Sequence, residues 1–126
     1  MIRRIVCSAV IALTACTDAV GPVEVSTTNQ QALRIENGTS GAIYYFAIEA
    51  NALALANWAP CSNPRTCPNV QPGQSREIPF SDIALYTPAA ETALLHWWHL
   101  RPTGSGTFAP DSIRAVRIAL RPGASR

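Results

Sequence analysis

The sequence predicts an all-β protein folded as an antiparallel β-sandwich of about seven strands. Segments in which apolar and polar residues alternate recur about every 10 residues, as they do in sandwich domains. Clusters of Gly, Pro and Asn separate these segments, for example at 37–41 and 72–75, where turns favour such residues. The segment 42–49 is rich in β-branched and aromatic side chains, which suits a central strand.

Seven segments have the pattern of strands. They are residues 23–27, 31–36, 42–49, 51–58, 76–80, 91–101 and 112–120. The segment 51–58 is open to two interpretations, because its leucines alternate with alanines as in a strand, while both residue types are strong helix formers. Its all-β neighbours favour a strand. Residues 81–87 are expected to form a single turn capped by Ser81 or Asp82.

Three stretches resemble parts of small bacterial immunoglobulin-like domains. They are residues 33–37 (LRIEN), residues 72–75 (PGQS) and the final strand, which ends at Leu120. The resemblance implies an immunoglobulin-like arrangement of two packed antiparallel sheets. The cysteine–tryptophan–cysteine core of antibody domains is absent, because no cysteine pair is placed to link two sheets.

The N-terminal residues have the layout of a secretory signal. Arg3 and Arg4 follow the initiator methionine, and an apolar run at 5–15 leads to Cys16. That run is too short for a transmembrane helix, which needs about 20 apolar residues. Residues 13–16 (LTAC) resemble the lipobox of bacterial prolipoproteins. The alternative interpretation is an ordinary secretory signal that happens to end beside a cysteine.

The lipobox resemblance implies a signal peptide at 1–15, a lipidated tether at 16–30 and a β-sandwich domain at 31–126. It also implies that Cys16 carries palmitate-type acyl chains, so that the lipid bilayer is a partner of the mature chain. The domain would then face the periplasm or the exterior of a bacterial cell envelope. Because Thr17 rather than Asp follows the cysteine, the sorting rule of proteobacterial lipoproteins favours the outer membrane over the inner membrane.

Two cysteines remain in the mature domain when Cys16 is acylated. Cys61 and Cys67 would then lie in an oxidising compartment, where a disulfide is the expected state. A metal site would need further ligands, and His96 and His99 are three residues apart on a predicted strand, so they point to opposite faces. We therefore expect no metal and no cofactor.

The charge of the mature domain is balanced. Arg3 and Arg4 belong to the signal, so eight of the ten basic residues remain beside eight acidic ones. A neutral domain lacks the basic surface that nucleic-acid binding needs, so no nucleic acid is expected as a partner.

The sequence His96-Trp97-Trp98-His99 is the most conspicuous candidate for binding. Strand alternation directs one tryptophan into the core and the other to the outer face. The outer ring is predicted to pack under the loop between the two mature cysteines or against Trp58. The alternative is an exposed aromatic platform for a glycan or a partner protein, with His99 and Arg101 beside Trp97 as its polar rim.

A second candidate for binding is the predicted loop 102–111 between the last two strands. It is Gly-rich and contains an isolated Phe108, and loops at the ends of sandwiches commonly recognise ligands. Arg101, Arg117 and Arg121 are predicted to cluster on the outer face of the same hairpin, and arginine beside aromatic residues is typical of interfaces. Ion pairing with acids on adjacent strands is the alternative role for these arginines.

Catalysis has little support in the sequence. No serine lies in a nucleophile-elbow motif, and no Gly-rich phosphate-binding loop occurs. We therefore expect no enzymatic activity and no catalytic residues.

The leading prediction is a lipid-anchored envelope protein whose sandwich domain binds or scaffolds an envelope protein or a glycan. A carbohydrate-recognition module built on Trp97 and Trp98 is the alternative, and a hydrolase is a distant third.

Overall fold

The described part of the chain, residues 21–121 of a computed structural model, forms two antiparallel β-sheets that pack face to face. The strands are β1 (Val23–Thr27), β2 (Ala32–Asn37), β3 (Ile43–Glu49), β4 (Asn69–Val70), β5 (Ser75–Pro79), β6 (Thr92–Gly104) and β7 (Thr107–Ala119). The prediction of an all-β sandwich with about seven strands is confirmed. The predicted signal peptide at 1–15 and the predicted lipidation site Cys16 lie outside the described residues.

The strands are distributed between the sheets as in immunoglobulin-like sandwiches. One sheet has the order β1-β2-β5 and the other the order β4-β3-β6-β7, and all neighbouring strands are antiparallel. The first, second and fifth strands thus share one sheet, and the third, sixth and seventh share the other. The short β4 pairs with β3, so it forms one edge of the larger sheet.

The sandwich begins at β1, inside the predicted tether 16–30. β1 pairs with β2 along its whole length, from Val23 opposite Asn37 to Thr27 opposite Leu33. Its small and polar residues suit an edge strand, which keeps one side in solvent. The predicted domain boundary at residue 31 is therefore wrong, and the domain starts close to Val23.

Residues 51–58 do not form the predicted strand. A 3-10 helix covers Ala50–Leu55, and Leu55 is 83% exposed. The side chain of Glu49, the last residue of β3, accepts a hydrogen bond from the backbone nitrogen of Asn51 and so caps the helix. The strand prediction is wrong because the chain leaves the sheet after Glu49, and the leucines and alanines that follow have no second strand to pair with.

The turn after β5 also differs from its prediction. A 3-10 helix at Phe80–Asp82 follows Pro79, and no side chain caps it, so the capping role predicted for Ser81 or Asp82 is wrong. The ring of Phe80 is buried in the core. Phe80 is the first residue of this helix, so packing of its ring against the sheets, rather than a side-chain cap, holds the start of the helix in place.

Apolar side chains from both sheets meet in one core. Leu33 and Ile35 of β2 are fully buried, while Glu36, the next residue of the strand, is exposed, as strand alternation requires. The larger sheet contributes the buried side chains of Ile43, Ala47, Val70, Ala93, Leu95 and Ile118.

Asn37 joins the two sheets at one end of the sandwich. It is 1% exposed, and its Nδ2 donates hydrogen bonds to the carbonyl oxygens of Gly41 and Val70, both at 2.8 Å. Its Oδ1 accepts hydrogen bonds from the backbone nitrogen and the hydroxyl of Thr39. Since Asn37 lies in the smaller sheet and Val70 in the larger one, this side chain is a polar link across the sandwich.

Candidate binding surface

The larger sheet continues past its neighbours as a two-stranded hairpin. β3 pairs with β6 only as far as Trp98, which lies opposite Tyr44. β6 and β7 stay paired beyond that point, to Gly104 opposite Thr107. We call residues 99–111 the hairpin extension.

Strand pairing runs through the predicted loop 102–111, so that prediction is wrong. The strands end only at a turn through Ser105 and Gly106, where Gly106 has a φ of 75° that glycine adopts readily. Pro102 and Pro110 suggest a loop when the sequence is considered alone. Both lie in strand segments with an open edge, where proline is tolerated.

A bulge in β7 lies at the base of the hairpin extension. Trp97 is opposite Arg114, whereas His99 is opposite Asp111, so β7 has one more residue than β6 over this interval. Ser112 adopts a φ of 57° within it. Bulges of this kind bend a strand and increase its twist, which re-aims the side chains that follow.

His99 contacts the connection between β2 and β3 rather than solvent. Its Nε2 lies 3.0 Å from Oγ1 of Thr39, and the same hydroxyl lies 2.6 Å from Oδ1 of Asn37. The hydroxyl has one proton, and Oδ1 of Asn37 can only accept. This network assigns the Nε2–H tautomer to His99, with the ring donating to Thr39. His99 therefore fastens the hairpin extension to the sandwich instead of forming a polar rim.

Trp98 is the outer tryptophan, and it is covered. Residues 56–68, which we call the covering segment, cross the outer face of the larger sheet. Trp98 is 1% exposed, its Nε1 donates to the carbonyl oxygen of Cys61 at 3.0 Å, and its ring lies 6.2 Å from that of Trp58. The outer tryptophan is predicted to pack under this loop or against Trp58, and it does both.

The covering segment is closed by the predicted disulfide. Cys61 and Cys67 are bonded, with their Cα atoms 5.8 Å apart, a normal separation for a disulfide. A loop of this length contributes about 2–3 kcal/mol on the chain-entropy model. The ring of Trp58 stacks on Phe46 at 4.8 Å, so the segment is held by both a covalent bond and aromatic packing.

Trp97 points to the opposite side of β6 and is only partly buried against the main core. The guanidinium carbon of Arg114 lies 5.5 Å from the centre of its ring, within the range of a cation–π contact. The ring of His99 meets it edge-on at 5.8 Å. Of the two adjacent tryptophans, Trp97 is therefore the one with surface that a ligand could reach.

His96 lies in the aromatic packing under the covering segment. Its ring is 4.7 Å from that of Trp58, and its Nδ1 is buried without a hydrogen-bond partner among the described residues. Burial lowers the pKa of His96 below the usual 6.5, because the charged imidazolium loses hydration there, and a backbone contact with Phe46 offsets part of this effect.

We expect the domain to lose stability as the pH falls through the titration of His96. Below pH 6.5 the unfolded histidine binds a proton that the folded one, with its lowered pKa, does not. The stabilisation is thus fully present above this window and is lost on descending through it. His96→Phe should reduce the drop in melting temperature between about pH 7.5 and pH 5. Parallel pH profiles for the two proteins would contradict the assignment.

The hairpin extension and the disulfide loop, residues 61–67, line an open groove of about 720 Å³. Its lining residues are Ser62, Asn63, Pro64, Arg65, Gly106, Thr107 and Phe108. Phe108 is partly buried here, while Arg65 and, farther along the hairpin, Arg101 are exposed. Neither the segment 61–67 nor the segment 99–110 contains an acidic residue. This groove brings Phe108 together with Arg65, a residue that sequence analysis missed because the two are far apart in the chain.

The predicted cluster of Arg101, Arg117 and Arg121 is not formed. Arg101 lies opposite Ala109, eight residues from Arg117 along β7, which corresponds to about 26 Å at 3.3 Å per residue. Arg117 is exposed and forms no ion pair with any described residue, and Arg121 pairs with Glu91 at 3.2 Å. The arginines therefore belong to three separate places, of which only that of Arg101 lies on the hairpin extension.

Residues 21–121 contain no group of three His, Cys, Asp or Glu side chains close enough to hold a metal ion. The same residues include no helix with the length and apolar character of a membrane span. No protein-family model matches the chain, and neither the curated proteins nor the solved structures include a significant match to it.

Proposed function

We propose that this protein is a lipid-anchored component of the bacterial cell envelope whose β-sandwich domain serves in binding or scaffolding rather than catalysis. The observation that carries the proposal is the lipobox-like sequence at 13–16, which follows a basic and apolar leader. Because Thr17 rather than Asp follows Cys16, we propose the outer membrane as the location. The disulfide between Cys61 and Cys67 supports an oxidising compartment, as such bonds are rare in the cytosol.

A binding role, rather than a catalytic one, is supported by the positions of the two histidines and of the groove at Phe108. His99 bonds with Thr39, and His96 packs against Trp58. The groove beside Phe108, in contrast, leaves Arg65 exposed and has an apolar wall. A carbohydrate platform on Trp98 is not part of our proposal, because the covering segment occupies the face of that ring.

Lipidation should be abolished by Cys16→Ser. Cells grown with an alkyne-bearing fatty acid are expected to label the wild-type protein and to leave Cys16→Ser unlabelled, because the acyl chains are attached to this side chain. Cys7→Ser is the matched control, since it removes a cysteine from the predicted signal peptide and should leave labelling unchanged. Equal labelling of wild type and Cys16→Ser would refute the proposed anchor.

A further inference from the structure

The chain enters the domain at the end of the sandwich from which the hairpin extension projects. β1 begins at Val23, opposite the last residue of β2, and the backbone nitrogen of Gly21 bonds with the carbonyl oxygen of Gly38 just beyond it. β3 begins at this same end, since it follows β2 through the connection at 38–42. The hairpin extension starts level with the first residues of β3 and continues outward.

The reach of the hairpin is similar to the reach of the predicted tether. Residues 99–104 carry β6 about 20 Å past β3, at 3.3 Å per residue. The chain from Cys16 to Gly21 spans at most about 18 Å when fully extended. A tether this short cannot lift the domain clear of a membrane on the side where the hairpin projects.

The surface at that end has the composition of a membrane contact. Arg65 and Arg101 are exposed within the segments 61–67 and 99–110, which contain no acidic residue. The exposed acids at this end, Glu24, Glu36 and Asp111, lie outside these two segments. Phe108 provides an aromatic side chain beside Arg65, while Arg101, which pairs with Ala109, lies on the other face of the hairpin. Arginine is attracted to anionic headgroups, and aromatic residues favour the boundary between headgroups and acyl chains.

We propose that the hairpin extension and the disulfide loop form a lipid-facing surface that contacts the anionic phospholipid headgroups of the membrane holding Cys16. This inference rests on the proposed lipidation of Cys16. Two arginines and one phenylalanine bind a bilayer weakly by themselves, but an acyl anchor makes the contact intramolecular and raises its effective concentration. The contact would hold the sandwich end-on, with the C-terminal end of β7 and the turn at 87–90 directed away from the bilayer.

The orientation can be measured on lipidated full-length protein in vesicles of phosphatidylcholine and phosphatidylglycerol. An environment-sensitive fluorophore is attached at Ser105→Cys in the hairpin turn or, as a control, at Ala89→Cys, an exposed site at the opposite end of the sandwich. Spin-labelled phospholipids are expected to quench the fluorophore at position 105 and to leave that at position 89 unquenched. Equal quenching at the two positions, or none at either, would overturn the inference.

The charge of the surface gives a second test with a matched control. The double variant Arg65→Glu with Arg101→Glu should lose most of the quenching at position 105 in phosphatidylglycerol-containing vesicles, because its headgroups repel the new carboxylates. Arg117→Glu is the control. It reverses the charge of an exposed arginine that lies outside this surface, so it should retain the quenching. Loss of quenching in both variants alike would contradict a contact through Arg65 and Arg101.

Mass spectrometry of the same samples separates the two proposals. An unmodified Cys16 would refute the lipid anchor and, with it, the inference about the hairpin. An acylated Cys16 together with an unquenched fluorophore at position 105 would leave the proposed anchor intact and refute only the membrane contact.

Discussion

Trp98→Ala is expected to lower the free energy of unfolding by about 3–5 kcal/mol, the range for truncating a large buried aromatic side chain. Trp98 is 1% exposed between the larger sheet and the covering segment, and Trp58 and Cys67 pack beside it. Its removal leaves a cavity and also leaves the carbonyl oxygen of Cys61 without its donor. The covering segment would then retain its disulfide and the packing of Trp58 against Phe46 and His96.

Urea unfolding of the mature chain carrying Cys16→Ser, which removes the acyl anchor, measures this loss. Trp98→Phe is the matched control, because it keeps an aromatic ring in place and removes the Nε1 donor and only part of the indole, for an expected cost of about 1–2 kcal/mol. The prediction is wrong if Trp98→Ala is no less stable than Trp98→Phe. Both variants should keep the Cys61–Cys67 bond, which a mass measurement without reductant verifies.

The tryptophan pair shows which features of the binding surface can be predicted from local sequence patterns and which cannot. Alternation along β6 correctly predicts that Trp97 and Trp98 face opposite sides and that the outer ring needs a cover. It does not predict that the outer ring is the more buried of the two. That difference depends on the path of residues 56–68, which is set by packing on a distant strand and by a disulfide rather than by local periodicity.

The two larger errors have a common physical origin. Residues 51–58 have the alternating pattern of a strand, but no strand lies beside them to pair with. Residues 102–111 contain prolines and glycines, yet they are paired as two neighbouring strands. Local propensity is weak compared with tertiary pairing for both segments. Edge positions make the second error easy, because prolines that would disrupt a central strand are tolerated on an open edge. The groove at Phe108 was unpredictable for this reason, since it exists only when the hairpin is extended.

Asn37→Ala is expected to lower the free energy of unfolding by about 2–4 kcal/mol, although Asn37 resembles an ordinary turn residue in the sequence. The substitution deprives the buried carbonyl oxygen of Val70 of its donor and removes the same donor from the carbonyl oxygen of Gly41, where the nearby hydroxyl of Thr39 can take its place. An unsatisfied buried polar group costs about 1–3 kcal/mol. The loss should be accompanied by faster amide exchange in β4, which has only β3 as its neighbour in the sheet.

Asn69→Ala is the matched control for this effect. It also removes an asparagine donor from a carbonyl oxygen, that of Cys67, but the bond is only partly buried and links residues two apart in the chain. We expect a cost of about 1 kcal/mol or less there. Asn37→Asp should be at least as destabilising as Asn37→Ala, because a carboxylate would face the same two carbonyl oxygens with no proton to donate. A stable Asn37→Asp variant would show that the link between the sheets does not depend on the donors of Asn37.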